Sequence, residues 1–351
     1  TPNKEYLATE RNNMLKIKGL ATGIGSLPHK DADTALDLIF KYLPQIPFWP
    51  QLPQRDAREG MVAQFSENLP GIELTAQGLT FRPDDQKLEA FYERLIAQDL
   101  DYFKISPDFA LGLERFYARL KKEKLADVEF IKCQITGPFT VCASINDEKG
   151  VALLHNAVFK QAILKGLAMK ALWQVNLFKQ FGRKIILFID EPYLGCFGSA
   201  FTPLNREDVI KDLGELTAQV KSDDVFVGVH CCGNTDWSIF TDIESIDVVS
   251  FDAFGFLERL LLYAQNLKGF FKRGGTLCWG IVPTQEFNPD IGPKVLQDKI
   301  NNGADELARK GLDKDLLLSN SFFSPSCGLG SLNQDTAGKI FQLLSELAQS
   351  F

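Results

Sequence analysis

The stretch HCCGNTDW, residues 230–237, places one of only three histidines in the chain beside two of its seven cysteines. On a β-strand, residues two apart share a face, so His230 and Cys232 point the same way while Cys231 points to the other side. An imidazole and a thiolate on one face, with a third soft ligand from another strand, suit zinc. Its catalytic sites keep one position exchangeable. Cys327, in the Pro- and Gly-flanked turn SPSCGLGS, is the candidate third ligand. Read alone, an H-x-C pair is weak and equally describes a buried strand end.

Other reactive side chains occupy comparable places. Ser26, Asp190, Glu191 and Asp252 each stand at or just beyond the carboxyl end of a run with strand character. Singly, each has an ordinary reading as a turn serine or a helix-capping acid. Convergence from separate strands is what gives them weight. The remaining cysteines, Cys133, Cys142, Cys196 and Cys278, read as buried small hydrophobes. His155 lies in a helical pattern and reads as a packed or half-exposed histidine, and His29 in SLPHKD fits either a rim position or a helix start. TGIGS opens like a dinucleotide-binding glycine loop, but Pro28 takes the third glycine position, which argues against that site.

The elements that must position these groups are short apolar runs, most followed by segments of helical period. Strands are expected at 20–26, 46–51, 128–136, 184–190, 225–231, 246–252, 276–282 and 315–321. Eight strand–helix units predict a single α/β domain, a (β/α)8 TIM barrel over residues 14–351, with active-site residues at the strands' carboxyl ends. A doubly wound sheet is the competing arrangement. Between the second and third runs, apolar spacing at 88–97 and 110–125 predicts a helical insertion. Residues 1–13 read as a polar tail or an expression leader ahead of Met14.

Composition narrows the class. With 351 residues, 45% of them hydrophobic, the chain can bury a large core. A net charge of −7 argues against general nucleic-acid binding, which needs clustered Lys and Arg. Lys121, Lys122 and Lys124 are interrupted by Glu123 and read as a solvated helix face. No apolar run reaches the roughly 20 residues of a membrane span. An odd number of cysteines without small-scaffold spacing points to reduced thiols and a cytoplasmic protein.

Taken in order, IGSLP (24–28), MVAQFSENLPG (61–71), ITGPFT (135–140), IDEP (189–192), HCC (230–232), VVSFD (248–252) and SPSCGL (324–329) give the chain a family resemblance. It resembles the C-terminal catalytic barrel of cobalamin-independent methionine synthase, in the superfamily that also holds uroporphyrinogen decarboxylase and the methylcobalamin:coenzyme M methyltransferases. The resemblance implies zinc bound by His230, Cys232, Asp252 and Cys327, with Asp252 where the family usually has Glu. His230, Cys232 and Cys327 would then be the catalytic set. Homocysteine contacts would fall on Ile24, Gly25, Ser26 and Asp190.

Departures from the family pattern bear on the methyl donor. The folate-stacking tryptophan is replaced by Ser144, and the histidine that protonates the leaving nitrogen falls on Val282. The family's additional N-terminal barrel is absent from this sequence. A folate leaving group must be protonated, whereas a cobalt(I) corrinoid needs no proton. The expected donor is therefore methylcobalamin or another methylcorrinoid, free or carried by a corrinoid protein, with homocysteine as acceptor. The glutamate that binds the homocysteine amino group aligns with Arg55, with Asp56 and Glu59 nearby. Two other enzyme readings share parts of this pattern: a methylcorrinoid:coenzyme M-type methyltransferase and a porphyrinogen decarboxylase. A non-enzymatic structural zinc site is a third alternative.

Overall fold

The computed structural model describes residues 15, 17–199, 202 and 204–351. The segment 1–13, read above as a tail or leader, lies outside them. The central element is a six-stranded parallel sheet in sequential order: β3 (Phe130–Thr136), β4 (Lys184–Asp190), β5 (Val225–Cys231), β6 (Val248–Phe251), β7 (Thr276–Val282) and β8 (Ser321–Pro325). A two-stranded antiparallel hairpin, β1 (Ile72–Thr75) with β2 (Gly78–Phe81), precedes it. The expected closed (β/α)8 barrel is not what forms. The six strands make a half-barrel, and the two further strands among the described residues belong to the hairpin.

The missing strands have a physical explanation. Segments 20–26 and 46–51 flank the half-barrel but join it by single bridges, Ala21 with Phe323 and Phe48 with Lys132, and meet each other at Ser26 with Gln51. Pro47 and Pro50 remove two ladder donors from the second segment, and Gly23 and Gly25 remove side-chain packing from the first. The last expected strand, 315–321, is also displaced. Asp313 accepts from the Leu316 amide and starts a short helix, Lys314–Ser319, so the strand begins only at Ser321. The expected insertion helices form as Asp85–Ile96 and Leu111–Lys122. The solvated lysine end is as expected, with Lys121, Lys122 and Lys124 exposed.

Side-chain parity organises the sheet. Ile131, Cys133 and Ile135 of β3, Ile185, Leu187 and Ile189 of β4, and Val227, Val229 and Cys231 of β5 all belong to the outer core shared with the helices. The opposite parity faces the concave side. There Phe130, Ile186, Phe188, Phe226, Cys278 and Phe322 form a second apolar cluster. Above this plug, towards the carboxyl ends, the same face carries Gln134, Asp190, His230 and Ser250, all buried. An apolar floor thus supports a polar upper layer.

Among the described residues, no helix is long and apolar enough to cross a membrane. Segment 46–51 is held from outside by close helix packing: a Cβ on Gly112 would stand 2.0 Å from the Pro50 carbonyl oxygen. Gly112→Ala should therefore lower the stability by about 1–3 kcal/mol, the usual cost of overpacking, read from the urea midpoint. An unchanged midpoint would contradict this packing.

Candidate functional site

The carboxyl end of the sheet surrounds a cavity of about 320 Å³. Ile24, Ser26, Glu59, Asp190, His230, Cys232 and Cys327 are among its lining residues. They come from five stretches of chain, with Ile24 and Ser26 sharing one turn and His230 and Cys232, at the end of β5, forming the i, i+2 pair read from the sequence. Cys231 has the other parity: it is buried, and its sulfur lies 3.7 Å from the Gly233 carbonyl.

The imidazole of His230 and the sulfurs of Cys232 and Cys327 offer ligand atoms that all lie within 4.8 Å of one another. That span is close to the separation of roughly 4 Å taken by ligands bonding one tetrahedral zinc at about 2.0–2.3 Å. His230 is oriented for such a role. Its Nδ1 is 2.9 Å from Ser250 Oγ, while its buried Nε2 has no hydrogen-bond partner. A ring nitrogen fixed on one side and orphaned on the other is what a metal-ligating histidine presents. The two thiols are strongly unequal. Interaction with the Cys232 thiol, and after it with His230, holds Cys327 below the usual thiol range, whereas the same contact and burial push Cys232 up. Donor set and spacing both fit zinc.

Asp252 stands apart from this group. Its Oδ1 accepts from the Gly255 amide at 2.7 Å and caps helix Ala253–Leu260, although His230 and Cys327 both act on its charge. Desolvation raises its pKa. The two acids of IDEP divide by parity. Glu191 turns away from the cavity and caps helix Pro138–Ser144, accepting from the Phe139 and Thr140 amides at 3.0 and 2.9 Å. Asp190 faces the cavity with a buried Oδ1 that lacks any partner. Burial pushes its pKa up to about 6, opposed by His230 and Lys132.

The turn Ile24–Ser26 forms another wall. Ser26 Oγ accepts from the Gly330 amide at 3.2 Å, and a Cβ on Gly25 would meet Gln51 Oε1 at 2.7 Å. Glu59, one of several charges in RDARE, is buried against this wall. It accepts from the Leu52 amide at 3.1 Å and from Arg55 Nε, and desolvation raises its pKa. Ser250 carried no assigned role in the sequence, and Glu59 was named there only as an acid near Arg55.

The rest sort plainly. Cys133, Cys142 and Cys278 are buried as expected, but Cys196 is exposed, a correction explained by its place in the turn after Glu191 rather than on a strand. His29 is buried just before the Asp31 cap of helix Ala32–Tyr42, and His155 is exposed. Val282 is fully buried, and Ser144 Oγ is used by the Thr140 carbonyl at 2.7 Å.

No protein-family model matches the chain, and a search of curated proteins finds no match.

Ser250→Ala leaves His230 Nδ1 without its partner and should weaken zinc binding roughly 10- to 100-fold, the usual effect of losing an outer-shell hydrogen bond. Competition with a chromophoric chelator measures this. Unchanged affinity would remove Ser250 from the site.

Proposed function

We propose that the protein is a zinc-dependent thiol methyltransferase that makes methionine by moving a methyl group from a methylcorrinoid to homocysteine. One observation carries the reading: an imidazole and two thiols with metal-ligand spacing line the same cavity as Ser26, Glu59 and Asp190. Zinc held by His230, Cys232 and Cys327 would supply the positive charge that keeps an acceptor thiol ionised at neutral pH.

The chain's own residues account for acceptor placement. The orphan Oδ1 of Asp190 would be satisfied by the acceptor's ammonium in a charge-assisted hydrogen bond, which also offsets the cost of burying that carboxyl. The sulfonate of coenzyme M would meet like charge there, so Asp190 favours an ammonium-bearing acceptor. Glu59 restores the acid that an ungapped alignment assigns to Arg55, with Arg55 as its counter-ion. Ser26, tied to Gly330, sets the opposite wall. Holding the thiol beside the methyl in one orientation can itself remove several kcal/mol of barrier.

Two positions marked by the family resemblance support a corrinoid donor. Val282 brings no proton to a departing folate nitrogen, and Ser144 offers no aromatic surface. In the proposed step the acceptor sulfur forms a bond to the methyl carbon while the cobalt–carbon bond breaks, its electron pair staying on cobalt. The thiol proton leaves to solvent. A cavity of about 320 Å³ suits an amino acid but not a corrin ring, so the donor would present only its methyl group at the opening. A corrinoid protein that carries this group is the partner the reading implies.

Zinc-loaded protein given homocysteine should form methionine from methylcobalamin and none from methyltetrahydrofolate. Turnover with folate alone would overturn the donor assignment, and methionine from neither donor would overturn methyl transfer.

A further inference from the structure

Segments 20–26 and 46–51 build one wall of the cavity yet have no strand ladder to the half-barrel. Backbone bonds tie them at points only, Leu20 and Thr22 to Phe323 and the Pro47 carbonyl to the Lys132 amide, and side chains add to these. Two inward-facing side chains of β3 reach across: Lys132 Nζ donates to the Ile24 carbonyl at 2.6 Å, and Gln134 Nε2 donates to the Trp49 carbonyl at 2.9 Å. Lys132 Nζ also donates to Gln134 Oε1 at 3.1 Å, which couples the two ties.

Lys132 is fully buried, and a core position needs no cation. Burying an ammonium costs several kcal/mol unless specific partners offset it. The rings of Phe188 and Phe48, whose centroids lie 4.7 and 5.5 Å from Nζ, supply part of that offset. A methionine or leucine would fill the same space above the apolar plug without any of these costs. The retained ammonium therefore acts on a part of the wall that the acceptor needs, the Ile24–Ser26 turn.

We propose that Lys132 is a positioning residue for the acceptor's amino-acid end: from beneath the cavity its ammonium fixes the Ile24–Ser26 turn. The identity of the acceptor rests on the methyl-transfer reading above. The placement of Lys132 does not.

Lys132→Met keeps chain length and removes charge and donors. In calorimetric titration of the zinc-loaded proteins, the variant should bind homocysteine about tenfold or more weakly, as expected for losing a hydrogen bond from a charged group. Binding of 3-mercaptopropionate, which lacks the amino group, should stay within about threefold, and zinc content should match wild type. In turnover the loss should appear in KM for homocysteine with kcat little changed. Equal weakening of both thiols would show a merely structural lysine, and unchanged homocysteine binding would remove the role altogether. If Lys132→Met does not fold, Lys132→Gln carries the same test, since it keeps a donor without the charge; the homocysteine-selective loss is again expected, and its absence overturns the proposal. Wild-type protein that binds homocysteine but transfers no methyl would refute the methyl-transfer reading while leaving the Lys132 comparison valid.

Discussion

Two thiols and an imidazole crowded within 4.8 Å at the end of a parallel sheet are an arrangement that apolar packing does not explain. Soft donors gathered in a desolvated place satisfy one another only in part, and His230 Nε2 has no hydrogen-bond partner. A divalent ion with affinity for sulfur and nitrogen resolves the conflict, because it gives each donor a partner and balances the charge of a thiolate. The spacing of the three donors and the orientation of the histidine are what such an ion would need.

The half-barrel meets it through parity. Each parallel strand sends alternate side chains inward, and the lower inward positions are apolar while the upper ones are polar. Gly228 marks where the two layers interlock: a Cβ there would press on the Phe188 ring at 2.8 Å, so strand β5 must be bare at that level for His230 to sit just above. Asp190 and His230 are partners in the β4–β5 register, which places an acid and a metal-ligand candidate side by side. The opposite wall is made of irregular chain, and side chains of β3 add to the few backbone bonds that hold it.

Strands β4, β5 and β7 were legible in the sequence to their ends, because continuous β-branched and apolar runs bounded by polar turns have few other readings. The closed barrel was not. Apolar content in IPFWPQ resembled a strand, yet its prolines cannot donate to a ladder. DLLLSNS was ambiguous between short helix and strand, and the Asp313 cap decided it. The hairpin 72–81 went unseen, although Gly78, at φ 115°, was its signal. In the site, the H-x-C pair and Cys327 were visible as types and spacing. Asp252 was visible too, but its carboxylate serves as a helix cap and lies outside the ligand group. Glu59 and Ser250 matter through contacts that only folding creates. Lys132 had a trace in sequence, the one cation inside VEFIKCQIT, whose meaning depends on a carbonyl 108 residues away.

The central claim is that one zinc ion is gripped by two sulfurs and one nitrogen and keeps a position for an incoming thiol. Zinc K-edge X-ray absorption on the loaded protein tests it most directly. The account predicts two sulfur scatterers at about 2.3 Å and one nitrogen at about 2.0 Å, with a third sulfur appearing on addition of homocysteine. A shell of oxygen and nitrogen alone, or a sulfur count that homocysteine leaves unchanged, would contradict it.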